Sequence, residues 1–381
     1  MSLGLYLSAP FCRSKCSYCN FASQVSSPAV FDDYCTLLAR ELELASVADG
    51  LRGAVLDTIY WGGGTPSLLP EAGFRRVLAA IRANFSLAPD VEHTLEVAPG
   101  TLAVRRLDLL AEAGVNRLSL GVQSFQDAEL RAVGRLHRAN TISDDIARAR
   151  AAGFSNISLD LIAGLPHQTE SSWRDSVRAA LATSVPHLSL YMFEVDQESR
   201  LGSELLSGGS RYHANAVPSE DVIADSYEWA CNELTARGWQ QYEISNFARS
   251  GFASRHNQRY WLRQPYLGCG LDAHSFLIHP RPHRFSNPDA LLDYCAPLRA
   301  GRLPRHAPDW LTPAAAREEY YFLGLRRTCG VALRPADPQH RIIPSLLASG
   351  LLQQRDAIIS LTARGRMLSN RVLAEFLEPV A

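Results

Sequence analysis

Cys12, Cys16 and Cys19 are separated by three residues and then by two, directly after an apolar run. Thiolates are the ligands of iron–sulfur clusters, and closely spaced cysteines in a loop can each take one corner of a cubane. Three such ligands leave one iron of a [4Fe–4S] cluster without a protein donor. That iron can take the amine and carboxylate of S-adenosylmethionine, whose carbon–sulfur bond an electron from the cluster can break. Zinc is the alternative, but a closed zinc site needs four donors. No fourth cysteine lies nearby, so His93 or His137 would have to complete it. Cys35, Cys231, Cys269, Cys295 and Cys329 are scattered, as small buried apolar residues are.

The second feature is Gly62-Gly63-Gly64-Thr65-Pro66. Glycines let a backbone approach a ligand without Cβ clashes. Their amides and carbonyls could hold a charged amino-acid group. Glu96, Gln123, Arg135 and Asp160 are each ordinary alone. As a set they could bind a sulfonium nucleoside, with carboxylates for the amine and ribose hydroxyls and the guanidinium for the carboxylate.

These residues must be brought together by the elements between them. Short apolar runs at 3–7, 57–61, 93–97, 117–121, 157–161 and 187–191 predict strands. Amphipathic stretches at 30–44, 71–84, 104–113, 128–133, 141–152 and 170–181 predict the intervening helices. Six such units imply parallel strands that are apolar, as strands buried on both faces should be. The expected fold is α/β, a partial (β/α)6 TIM-like barrel. A polar or glycine-rich feature falls at the carboxyl end of nearly every strand, where such folds place ligands. After Leu206 the rhythm changes: a Gly/Ser loop at 207–210, a helix at 221–237, then the aromatic-rich stretch 239–267. From Thr312 short helices, a strand at 357–361 and a helix at 362–376 suggest a small, mostly α, winged-helix-like domain. The expected divisions are 1–205, 206–305 and 306–381.

The first two hundred residues resemble a radical S-adenosylmethionine domain, through Cys12-x3-Cys16-Ser17-Tyr18-Cys19 and the glycine run. Tyr6 with Pro10-Phe11-Cys12, Glu96, Gly121-Val122-Gln123-Ser124-Phe125, Gly134-Arg135-x-His137 and Asp160-Leu161-Ile162-x-Gly164-Leu165-Pro166 are similar to the oxygen-independent coproporphyrinogen III oxidase family. By that resemblance Tyr6, Tyr18, Gly63, Gly64, Thr65, Glu96, Gln123, Arg135 and Asp160 line the cofactor or porphyrin pocket. Phe21 stands where the oxidase itself carries a further cysteine. His256-Asn257-x-x-Tyr260-Trp261 resembles instead the motif of HemW-type haem chaperones, and Thr362-x-x-Gly365 with Asn370 extends that likeness. The resemblance implies a haem carrier that binds haem through His256, Asn257, Tyr260 and Trp261. It would pass haem to an acceptor protein, with an electron donor for the cluster. A neutral imidazole suits haem iron, and aromatic faces suit a porphyrin plane. The competing expectation is radical decarboxylation of coproporphyrinogen.

Several residues depart from the family pattern. Ser8-Ala9 replace His-Ile, Ser254 stands where relatives often have cysteine, and Leu271-Asp272 replace a small pair before Ala273-His274-Ser275. Asp272 adds a carboxylate there, and Cys269 is a further soft donor.

The 38 basic and 39 acidic residues nearly cancel, which gives no electrostatic footing for general nucleic-acid or membrane binding. No stretch approaches the roughly 20 apolar residues of a membrane span. The first ten residues lack the pattern of a secretory signal, and clustered thiolates suit a reducing cytoplasm. Replacing Cys12, Cys16 or Cys19 with Ala should strip iron and sulfide from anaerobically prepared protein. Full iron and sulfide content in any one variant would refute that ligand set.

Overall fold

The computed structural model describes residues 2–334 and 336–377. Strands β1 (Ser2–Ala9), β2 (Val55–Gly63), β3 (Ser86–Val97), β4 (Arg117–Gln123), β5 (Asn156–Ala163) and β6 (His187–Met192) lie side by side in chain order, all parallel. Between them run α1 (Pro28–Ala48), α2 (Glu71–Asn84), α3 (Val104–Glu112), α4 (Asp127–Ala132), α5 (Ala139–Ala151) and α6 (Glu170–Ala182). This is the expected α/β arrangement. The packing follows from spacing. On α2, Phe74, Val77, Leu78 and Ile81 recur on one helical face, and all four are buried. Thr169 starts α6 by accepting the Ser172 amide at 3.2 Å.

One expectation about the strands fails. They are not apolar on both faces. Leu5, Leu7, Ile59, Trp61, Leu95, Leu118, Leu159 and Leu188 belong to the main hydrophobic core. The alternate positions are Tyr6, Thr58, Tyr60, Thr94, Glu96, Ser119, Ser158, Asp160, His187 and Ser189, and they face the barrel interior. That interior is hydrogen-bonded. Ser158 Oγ meets His187 Nδ1 at 2.6 Å, and His187 Nε2 meets the Tyr242 hydroxyl at 2.8 Å.

The later chain extends the same sheet at both ends. After α7 (Arg200–Leu206) and α8 (Glu220–Ala236), strands β7 (Gln240–Gln241) and β8 (Asn246–Ala248) continue it beyond β6. Helix α9 (Arg255–Trp261) then leads to β9 (Tyr266–Cys269), which pairs in parallel with β1. Beyond it lie β10 (His274–Leu277), β11 (His283–Ser286) and, after α10 (Leu291–Arg299), β12 (Asp309–Trp310). The result is a twelve-stranded sheet, not a six-stranded one. The added strands have only two to four residues. That is too short to show a period of two in sequence.

Helix α11 (Pro313–Gly324) opens the last part of the chain. A three-stranded sheet follows, made of β13 (Val331–Ala332), β14 (Leu352–Arg355) and β15 (Ile358–Leu361). Between β13 and β14 lies α12 (Ile343–Ala348). Tyr321, Leu325, Ile359 and Phe376 form a separate apolar cluster here, joined by Ile244. The helix expected over 362–376 is two, α13 (Ala363–Met367) and α14 (Ser369–Ala374), interrupted at Leu368.

Arg259 ties the added segment to the barrel. It is 1% exposed. Its guanidinium pairs with Asp57, donates to the Pro265 carbonyl at 3.0 Å and reaches Thr58 Oγ1 at 3.1 Å. Gly4 makes room for it, since a Cβ there would lie 2.7 Å from Arg259 Cδ. Removing one partner of a buried ion pair leaves the other uncompensated. Arg259→Met should therefore cost about 3 kcal/mol in urea unfolding, with part recovered by adding Asp57→Asn. A loss no larger than that of an exposed Arg→Met change would disprove this anchoring.

Candidate functional site

The cysteine loop leaves β1 and is pinned at both ends. Phe11 enters the core, stacked on Phe31 at 4.2 Å and edge-on to Tyr34 at 5.1 Å. The Cys12 amide bonds the Gln24 carbonyl, and the Gln24 amide bonds that of Pro10, at 3.0 and 2.8 Å. Farther along, the Ser17 amide bonds the Val133 carbonyl at 3.1 Å.

The glycine run packs its backbone against this loop. The amides of Gly64 and Thr65 donate to the carbonyls of Ala9 and Phe11 at 2.9 and 2.8 Å. A Cβ on Gly64 would lie 2.7–2.8 Å from three backbone atoms of residues 9 and 11. Gly63 has φ +97°, a region that favours glycine.

Cys12, Cys16, Cys19, Tyr18, Gly63, Gly64, Thr65, Glu96, Gln123, Arg135 and Asp160 all line one cavity of about 410 Å³ at the carboxyl ends of the strands. Two donors point at sulfur. Thr65 Oγ1 lies 3.5 Å from Cys12 Sγ, and Arg135 Nη1 lies 3.7 Å from Cys16 Sγ. The other arm of the guanidinium bonds the Gly121 carbonyl. Burial raises the Cys19 thiol above its ordinary value. Among the described residues no three His, Cys, Asp or Glu side chains gather around one point as ligands of a single ion. A zinc ion needs that convergence. A cubane does not, because each thiolate takes a separate iron. His137 lines this cavity, and His93 does not. His93 Nε2 accepts from the Trp61 indole at 2.9 Å, and His137 Nε2 lies 3.2 Å from the Val122 carbonyl.

Opposite the sulfurs stand two carboxylates. Tyr60 donates to Glu96 Oε1 at 2.8 Å, and Ser119 Oγ lies 3.5 Å from both oxygens of Asp160. Burial, and to a lesser degree the charge of Asp160, pushes Glu96 up to about 7. Burial also raises Asp160. Such a pair favours a cation between its members.

Tyr6 lies elsewhere. It lines a second cavity of about 800 Å³, within the roughly 300–1,000 Å³ usual for ligand sites. Tyr260 and Trp261 share that wall, with Tyr266, Arg284 and Phe322. Gly63 and Phe21 line both cavities. Trp261 Nε1 is buried without a hydrogen-bond partner among the described residues. His256 and Asn257 do not reach the cavity wall. His256 is fully buried. Its Nδ1 meets Thr58 Oγ1 and its Nε2 meets the Tyr260 hydroxyl, both at 2.8 Å. Burial, then the charges of Arg259 and Arg117, lowers its pKa to about 3, so the ring is neutral. The Asn257 amide bonds Ser254 Oγ at 3.3 Å, so Ser254 caps α9. Cys269 is buried in the main core.

Sequence reasoning missed Tyr191 in the first cavity and Tyr266, Arg284, Glu319, Phe322 and Leu323 in the second. Tyr191 could have been found, because it continues the inward alternation of Ser189 on β6. The others come from segments with no motif.

The chain matches the Radical SAM superfamily model over residues 6–180. It is 34% identical to "Heme chaperone HemW" of Bacillus subtilis, over 98% of both chains. It is 36% identical to the protein of that name from Escherichia coli, over 73% of this chain and 71% of that one. Among solved structures it is similar to coproporphyrinogen III oxidase (HemN) from Escherichia coli. There the TM-score is 0.86 and the identity 25%, covering 99% of this chain and 90% of that one.

The Glu96 shift has a consequence for stability. A carboxyl raised from about 4.5 to about 7 on folding contributes stability that is fully present below 4.5 and lost as pH rises through 7. Glu96→Gln does not titrate. Wild type should therefore lose up to about 2 kcal/mol relative to this variant between pH 5 and pH 8. Urea unfolding of both proteins across that range is the measurement, and a pH-independent difference would contradict the shift.

Proposed function

The chain belongs to the HemW family of radical S-adenosylmethionine proteins, and from that premise we propose that it carries haem in the second cavity beside a cluster in the first. Membership implies a [4Fe–4S] cluster and S-adenosylmethionine. We assign the cluster to Cys12, Cys16 and Cys19, which share one cavity and receive donors from Thr65 and Arg135. When bound, a reduced cluster supplies the electron that can break a carbon–sulfur bond of S-adenosylmethionine. The chain's own residues provide the setting. Glu96 and Asp160 offer negative charge to the ligand's cationic part. Arg135 stays beside Cys16, and Gln123, Tyr18 and the glycine run shape the remaining wall.

The observation that carries the haem reading is the second cavity. It is lined by Tyr6, Tyr260, Trp261, Tyr266 and Phe322, and it meets the cluster cavity at Gly63 and Phe21. Haem has a broad apolar plane, which the aromatic side chains of that wall suit. His256 and Asn257 act behind the wall. His256 holds the Tyr260 hydroxyl, and Asn257 lies in the capped turn of α9. Phe21 separates the two cavities where the oxidase would place a cysteine, which favours carriage over decarboxylation. The carrier would pass haem to an acceptor protein and draw electrons for the cluster from a separate donor. No described helix is long and apolar enough to cross a membrane.

Cluster-loaded protein should bind haem saturably at one per chain in an anaerobic titration followed by Soret absorbance. Trp261→Ala should weaken that binding by roughly three- to tenfold with iron and sulfide content unchanged. Absence of saturable binding in the wild type would remove the haem reading.

A further inference from the structure

Resting on the haem reading above, we propose that His274 Nε2 is the protein ligand to haem iron in the second cavity, and that His256 is a positioning residue for Tyr260. His274 is the imidazole that lines this cavity; no other histidine does among the described residues. It opens β10, is exposed, and pairs across the ladder with Ser286 of β11.

Its hydrogen bonding decides its tautomer. Nδ1 lies 3.1 Å from the Asp272 carbonyl oxygen. A carbonyl only accepts, so the proton sits on Nδ1. Nε2 then carries the lone pair, and it has no hydrogen-bond partner among the described residues. An imidazole oriented by an Nδ1–H···O=C bond is the arrangement metal-binding histidines commonly use.

The carbonyl that does this is itself held. Asp272 has φ +57°, in the left-handed region, and its amide bonds the Pro288 carbonyl at 2.9 Å. The Leu271 amide bonds the Tyr34 hydroxyl, and the Gly270 amide bonds Glu41 Oε2, both at 2.8 Å. Asn287 Nδ2 bonds the Gly270 carbonyl at 2.8 Å. The turn that aims the imidazole is therefore fixed before any ligand arrives.

The rival donors are engaged or remote. Using His256 would break its bond to Thr58 or to Tyr260. Cys269 points into the core.

The test is an anaerobic ferric-haem titration of the full, cluster-loaded chain, read by Soret position and by low-temperature electron paramagnetic resonance. Wild type should show a histidine-ligated ferric haem. His274→Ala should lose that signature, and added imidazole should restore it, which a loss caused by misfolding would not allow. His256→Ala should keep it. An unchanged spectrum in His274→Ala, loss without rescue by imidazole, or loss in His256→Ala alone would each overturn this assignment while leaving haem carriage standing. A wild type that binds no haem would overturn both.

Discussion

A buried guanidinium sets the geometry of the rest. Arg259 cannot be hidden without an anion and acceptors around it, because a lone charge in the interior is costly. Asp57 supplies the charge, and Thr58 and the Pro265 carbonyl supply oxygen. Asp57 and Thr58 belong to β2, Arg259 to α9, and Pro265 immediately precedes β9. One cation thus fastens the segment after residue 250 to the start of the barrel. Tyr260 and Trp261 follow Arg259 on the same helix, so their placement over Tyr6 depends on it. So does the register of β9 beside β1, and through β9 the position of His274.

The barrel interior obeys the same demand. Its inward strand positions are polar, and each buried group needs a partner. Toward the amino ends of the strands the partners are other side chains, as with His187, Ser158 and Tyr242. Toward the carboxyl ends the carboxylates of Glu96 and Asp160 stay incompletely neutralised and their pKa values rise. The fold therefore leaves a pair of hydrogen-bonded carboxyls without full cationic compensation in the same cavity as the three sulfurs. The second cavity differs in kind. Its wall mixes aromatic rings, such as Tyr6, Tyr260, Trp261 and Tyr266, with polar and charged side chains, such as His274, Arg284 and Glu319.

Gly63 and Phe21 make the two cavities neighbours. Behind the wall the rings of Tyr6 and Tyr60 stack on His256, with centroids 6.5 and 5.2 Å away. Tyr60 bonds Glu96 of the first cavity, and His256 bonds Tyr260 of the second. A continuous set of stacked and hydrogen-bonded rings thus runs from the wall of one cavity to that of the other. His256 matters here for what it holds in place.

The local chemistry was legible in the sequence because it is local. The cysteine spacing, the glycine run and the six strand–helix units are written within short windows, and most site residues of the first cavity lie at or just beyond the carboxyl end of a strand. The family likeness, too, was carried by contiguous motifs. Three things required the tertiary structure. The inner faces of the strands looked apolar because Leu and Ile at alternate positions dominate the runs, and only the sheet shows which face each side chain takes. The short strands β7 to β12 carry no period of their own, since pairing with a neighbour makes them strands. Above all, the motif in the sequence pointed to His256 and not to His274 as the donor. Which imidazole has a free nitrogen at a cavity wall depends on Thr58, Tyr260 and the Asp272 carbonyl, groups that folding brings within hydrogen-bond reach.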